Sequence, residues 1–133
     1  MTSHRFCTFL LVAFISINVS AQQPPANKLF TLMPESSTGV IFRNDIIETE
    51  TMFLYIYEYL YVGAGVSVGD INNDGLPDIY FTSTLGSNKL YLNLGGFKFQ
   101  DITESAGVAG GEGIKTGTTM VDINNDGYLD MMI

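Results

Sequence analysis

The segment "GDINNDGLPDIYF", Gly69 to Phe81, returns fifty-two residues later as "VDINNDGYLDMMI", Val121 to Ile133. Nothing else in the chain constrains its fold as tightly. Both copies read D-x-N-x-D-G-x-x-D. The flanks favour strands, with "VSV" before the first copy and "IYF" after it. Each copy therefore reads as an acidic loop between two strands.

The rhythm from Gly63 onward extends that reading. "GAGVSVGD" is a predicted strand, then comes the acidic loop, then "DIYFTST" as a second strand. Gly86-Ser87-Asn88 makes a turn, "KLYLNL" a third strand, Gly95-Gly96 a turn, and "FKFQDIT" a fourth. The alternation of Leu90, Leu92 and Leu94 supports this assignment. "ESAGVAGGEG" is a predicted loop, after which "GTTMVDI" and "LDMMI" restart the pattern. Four short strands in about fifty residues is the arithmetic of a propeller blade. The fold expected is all-β, a partial β-propeller with one complete blade and half of a second.

Upstream the signals are weaker. "TGVIF", Thr38 to Phe42, suits a short strand. "TMFLYIYEYLYV", Thr51 to Val62, is dense in aromatics with Glu58 as its only charge. Aromatic enrichment and the following "GAG" favour a strand there, and core packing is the expected use of its side chains.

The N-terminus has a different character. His4 and Arg5 precede the apolar run "FLLVAFISINV", Phe9 to Val19, which ends in Val19-Ser20-Ala21. This is a secretory signal peptide pattern, with cleavage expected after Ala21. The run is too short for a comfortable membrane span. The organisation expected is a signal peptide over 1–21, a linker over 22–37 with Pro24-Pro25 extended, and a lead-in over 38–62. A first repeat over 63–115 and a truncated second repeat over 116–133 follow. Cys7, the only cysteine, goes with the signal, so a secreted domain here needs a staple other than a disulfide.

The 133-residue chain has a formal net charge of −8, and six of its eight aspartates lie in the two acidic loops. With no basic patch to offset them, they exclude nucleic acid as a partner. In the first loop Asp70, Asn72, Asp74 and Asp78 place side-chain oxygens at positions 1, 3, 5 and 9. Gly75 permits the sharp turn at position 6, and Leu76 can offer only its carbonyl at position 7. The second loop repeats the set as Asp122, Asn124, Asp126, Gly127, Tyr128 and Asp130. Oxygen-only donors in a flexible loop suit calcium. Magnesium prefers fewer protein ligands, and the lack of a nearby His or Cys argues against zinc or copper. An EF-hand would carry a glutamate at position 12 between helices, whereas this chain has Phe81 and Ile133 there. Asn73 and Asn125 read as turn formers. The expected role of calcium is structural, relieving repulsion among three carboxylates in each loop.

"GVSVGDINNDGLPDIYFTS", "NKLYLNLGGFKFQDITESAGV" and "MVDINNDGYLD" resemble the FG-GAP/VCBS repeats of integrin-α-like β-propellers. With the lead-in "TGVIFRND" to "YEYLYVGAG", the likeness extends to the secreted bacterial branch that carries ASPIC/UnbV domains. It covers roughly Thr38 to Ile133. The resemblance implies a seven-bladed propeller with calcium held by Asp70, Asn72, Asp74, the Leu76 carbonyl and Asp78. The second set would be Asp122, Asn124, Asp126, the Tyr128 carbonyl and Asp130. The chain departs from that family in length, stopping inside the second strand of a blade and lacking an ASPIC/UnbV region. A propeller must close its ring, so the chain reads as an N-terminal fragment of a longer protein.

The function expected is a secreted, surface or periplasmic calcium-binding module for an extracellular protein or glycan, and not an enzyme. Without a histidine after the signal, no Ser-His-Asp set can form in this chain. A rival reading is the start of a calcium-dependent enzyme acting on polysaccharide. Its catalytic groups would lie beyond residue 133 or among Glu35, Glu48, Glu50, Glu58, Glu104 and Glu112, each of which reads as a surface carboxylate. A third reading is a gene fragment with no function of its own.

Overall fold

The structure, a computed structural model, describes residues 29–133. The expected signal peptide (1–21) and the first part of the expected linker (22–28) lie outside the described residues. Leu32–Ile133 forms one compact unit.

Strands β1 (Val66–Gly69), β2 (Asp78–Phe81), β3 (Lys89–Asn93) and β4 (Phe99–Asp101) form an antiparallel sheet in chain order. The register pairs Gly69 with Asp78, Ile79 with Tyr91, and Asn93 with Phe99. Strands β5 (Thr119–Val121) and β6 (Asp130–Met132) form a second antiparallel hairpin, with Val121 opposite Asp130. This is the all-β architecture of a partial β-propeller: one four-stranded blade and the first hairpin of the next. The six expected strands from Gly63 onward are all present. The stretch expected as a loop after β4 opens instead with a short helix, α2 (Thr103–Ala106). Asp101 accepts the Thr103 N–H at 3.0 Å, and Gly107 ends the turn at φ 68°.

Register sorts the side chains onto two faces. Gly65, Ser67 and Gly69 alternate along one face of β1, and the second hairpin packs against them. A Cβ at Gly65 would sit 2.6 Å from the Thr118 nitrogen, and one at Gly69 would sit 2.6 Å from Leu129 Cδ1. The Ser67 and Thr118 hydroxyls meet at 3.3 Å. Glycine at 65, where a Cβ would meet backbone, is thus the condition for the two hairpins to approach, whereas at 69 a Cβ would meet only the movable ends of Leu129 and Met120. On the same face Tyr80 and Leu90 are fully buried. The Tyr80 hydroxyl donates to the Val108 carbonyl at 2.8 Å and accepts from Asn88 Nδ2 at 2.8 Å.

The opposite face is covered by the lead-in. Phe42 stacks on Phe81 with ring centroids 4.7 Å apart, and Phe81 meets Tyr91 edge-on. The Tyr91 hydroxyl donates to the Ile41 carbonyl at 2.6 Å and accepts the Ile41 N–H at 3.1 Å. Asn44 Oδ1 accepts the Thr84 N–H at 2.7 Å.

Two upstream expectations are corrected. Thr38–Phe42 is not a strand, because the Ile41 backbone groups are satisfied by a tyrosine hydroxyl rather than by a neighbouring strand. A one-turn helix, α1 (Glu35–Thr38), precedes it and ends at Gly39 with φ 77°. Thr51–Val62 is a run of turns. Its N–H groups close on carbonyls three and four residues back, as from Tyr57 to Phe53 at 3.0 Å and from Leu60 to Tyr57 at 3.1 Å. Nor is it core: Leu60 is fully buried, but Tyr55 is 93% exposed and Tyr59 and Tyr61 are mostly exposed. Strand preference reflects packing on a sheet, and among the described residues no strand lies beside this segment to pair with it.

Candidate functional site

Each acidic loop joins the two strands of a hairpin, the first between Gly69 and Asp78, the second between Val121 and Asp130. The aspartate at position 1 accepts the two N–H groups of positions 5 and 6. Asp70 takes those of Asp74 and Gly75 at 3.0 and 2.7 Å. Asp122 takes those of Asp126 and Gly127 at 3.1 and 2.8 Å. The Asn72 amide donates to Asp74 Oδ2 at 2.8 Å, and the Asn124 amide to Asp126 Oδ2 at 2.9 Å. Asp74 Oδ1 accepts the Leu76 N–H at 2.8 Å, and Asp126 Oδ1 that of Tyr128 at 2.9 Å. The closing aspartates reach back to position 2: Asp78 to Ile71 and Asp130 to Ile123, both at 3.0 Å.

Backbone geometry repeats as faithfully. Asn73 and Asn125 hold φ 60° and 61°, and Gly75 and Gly127 hold 85° and 89°. Asparagine tolerates that left-handed region and glycine is at ease in it, which is why these types occupy positions 4 and 6.

The loops differ at two points. Asp78 is fully buried, and its Oδ1 also accepts the Asn93 N–H of β3 at 2.7 Å. Asn93 holds the same corner through its side chain, donating to the Pro77 carbonyl at 2.8 Å. Asp130 is only half-buried and lies in a two-stranded hairpin. Second, the loops touch: Asn73 Nδ2 donates to the Gly127 carbonyl at 3.1 Å. Sequence reasoning missed Asn93 altogether, because its role depends on strand pairing. It saw Asn73 only as a turn former.

The carboxyl of Asp126 lies below its ordinary range, because it accepts the Tyr128 N–H and, less strongly, the Asn124 amide. At Asp101, burial pushes upward, but the Lys89 ammonium at 2.8 Å and the Thr103 hydroxyl and N–H outweigh it, so its pKa is also lowered.

The donor chemistry of both loops fits a hard cation. Every charged donor is a carboxylate oxygen, and an oxygen that accepts one N–H keeps a second lone pair. As the loops stand, no three carboxylate, His or Cys side chains among the described residues are grouped closely enough to hold a metal ion. Glu35, Glu48, Glu50, Glu58, Glu104 and Glu112 are all exposed and scattered. Among the described residues no helix is long and apolar enough to cross a membrane.

A four-stranded antiparallel blade followed by a second hairpin, each with an acidic loop between its first two strands, defines a propeller-type repeat. Residues 70–133 match the FG-GAP-like repeat family, which supports assigning this part of the chain to it. Repeats of that family are generally structural or binding modules rather than catalytic ones. The chain is similar to cartilage acidic protein 1 of Mus musculus, with 31% identity over 107 residues, 78% of this chain and 16% of the mouse protein. It is also similar to cartilage acidic protein 1 of Homo sapiens, with 37% identity over 70 residues, 53% of this chain and 11% of the human protein. The chain thus spans less than a fifth of the length of these relatives. No solved structure matches it significantly.

Proposed function

We propose that this chain contributes to a secreted, calcium-stabilised propeller module that binds an extracellular protein or glycan and is not itself catalytic. The observation that carries the reading is the pair of loops: the same oxygen donors, the same hydrogen bonds and the same backbone angles, fifty-two residues apart. Asp70, Asn72, Asp74, the Leu76 carbonyl and Asp78 would hold one ion. Asp122, Asn124, Asp126, the Tyr128 carbonyl and Asp130 would hold the other. Bound calcium would neutralise the clustered carboxylates and tie the two strands of each hairpin together. Loading requires the side chains at positions 1, 3 and 5 to draw closer together, while the lone pair that each oxygen does not give to the ion keeps its N–H partner. Secretion is supported by the signal-peptide pattern of residues 1–21, and the motifs favour the secreted bacterial ASPIC/UnbV-associated branch.

Thermal unfolding in calcium and in chelator tests the reading. With a dissociation constant of about 0.1–1 mM, as in extracellular modules, millimolar calcium contributes on the order of 1 kcal/mol per site. That corresponds to a rise in Tm of roughly 4–8 °C for a domain of this size. Asp74→Ala removes the share of the first loop and Asp126→Ala that of the second. A Tm indifferent to calcium overturns the assignment. Calcium-dependent capture of a matrix glycan or protein, without turnover, supports the binding role.

A further inference from the structure

Among the described residues a single hydrogen bond joins the two loops, from Asn73 Nδ2 to the Gly127 carbonyl. At the donor end, Asn73 sits between two of the proposed ligands, Asn72 and Asp74. Its backbone is held at φ 60°, and the next N–H, that of Asp74, is shared by Asp70 Oδ1 and Asn72 Oδ1 at 3.0 and 3.2 Å. The point from which its side chain leaves the backbone is therefore set by the state of the first loop.

At the acceptor end, the Gly127 carbonyl belongs to the peptide unit whose N–H, on Tyr128, donates to Asp126 Oδ1. A peptide unit is planar, so a tilt imposed on its oxygen is passed to its N–H. Accepting a hydrogen bond at the oxygen also polarises the amide and strengthens the N–H as a donor. On its other side Gly127 donates to Asp122 Oδ2. One glycine thus links Asn73 to two carboxylates of the second loop. Asn125 has the equivalent backbone, but its side chain makes no hydrogen bond among the described residues.

We propose that Asn73 is a coupling residue that transmits the state of the first loop to the carboxylates of the second. Ordering residues 70–78 tightens the cation grip at 122–130, and loosening them weakens it. The cation part of this inference rests on the calcium reading above; the mechanical link does not.

The test compares the full chain with Asn73→Gly, which keeps the left-handed backbone and removes only the side chain. Asn125→Gly is the control for the backbone change. Calorimetric calcium titration should show two ions binding with positive cooperativity in the unaltered chain. Occupancy of the first loop should raise affinity at the second about fivefold, the worth of one net hydrogen bond. Asn73→Gly should bring that factor to about one, while Asn125→Gly preserves it. Without calcium, exchange of the Tyr128 amide should quicken about fivefold in Asn73→Gly. Cooperativity or Tyr128 exchange that is the same in Asn73→Gly as in the unaltered chain overturns the proposal. If neither loop takes up calcium, the calcium reading fails and the link is judged without metal. Asp70→Asn should then quicken Tyr128 exchange in the unaltered background and not in Asn73→Gly; equal acceleration in both overturns the link.

Discussion

The two acidic loops form a natural experiment: nearly the same nine residues in two tertiary settings. Asp70 to Asp78 sits in a hairpin flanked by a third strand, whereas Asp122 to Asp130 sits in a hairpin of two strands. Local structure is indifferent to this. The Asx bonds, the left-handed positions and the reach of the closing aspartate to position 2 recur in both. What changes is burial. Asp78 is sealed under β3 and bonded to Asn93, while its counterpart Asp130 stays half-buried. Loop conformation is thus a local property, and burial of the closing aspartate is supplied by the neighbouring strand.

The sharpest way to break this comparison is to truncate both closing aspartates. Asp78→Ala leaves the Ile71 and Asn93 N–H groups without their partner and should cost about 3 kcal/mol. Asp130→Ala releases only the Ile123 N–H, near solvent, and should cost about 1 kcal/mol. Urea unfolding of each variant decides it, and equal costs would refute the role given to β3.

Next in size is the seam between the hairpins. Gly65→Ala drives a Cβ against the backbone at Gly117 and Thr118, which has no side chain to swing away. The expected cost is about 2 kcal/mol. Hydrogen exchange should quicken in β5 and β6 and stay slow in β2 and β3. Uniform loosening would mean that the blade depends on its neighbour.

The smallest effect expected is on pH dependence. A carboxylate with a lowered folded pKa contributes stability that is complete above its unfolded value, 3.8 for Asp101 and Asp126. That contribution fades as pH falls through the lower folded value. Unfolding measured from neutral to acid pH should therefore show a loss only below about 3.8 from these groups. Asp126→Asn should flatten the slope there without moving the exchange behaviour of β3. Loss beginning well above that range would point to a different group.

Legibility followed the same division. Strands β1 to β6 were readable because alternating apolar residues, glycine turns and the duplicated loop all pointed one way. Asn73 and Asn125 were readable as turn formers because asparagine tolerates a left-handed backbone. The stretch Thr51 to Val62 misled because its aromatics favour strands only when a sheet edge is there to receive them. Thr38 to Phe42 misled because the Tyr91 hydroxyl, fifty residues away from Ile41, takes over the backbone bonds a strand would need. Asn93 was invisible as part of the site because nothing local distinguishes it from any asparagine before a glycine turn.

The sequence by itself determined the order of the strands, the conformation of both acidic loops and the oxygen-only character of their donors. These rest on interactions spanning a few residues, such as Asx bonds, glycine turns and the period of two along a strand. Only the tertiary structure decided which aspartate is buried, where the lead-in lies, and that Asn73 reaches Gly127. Those outcomes depend on which distant groups come into contact. A residue's chemistry states what it can bond to; only the packed chain states which partner comes within reach.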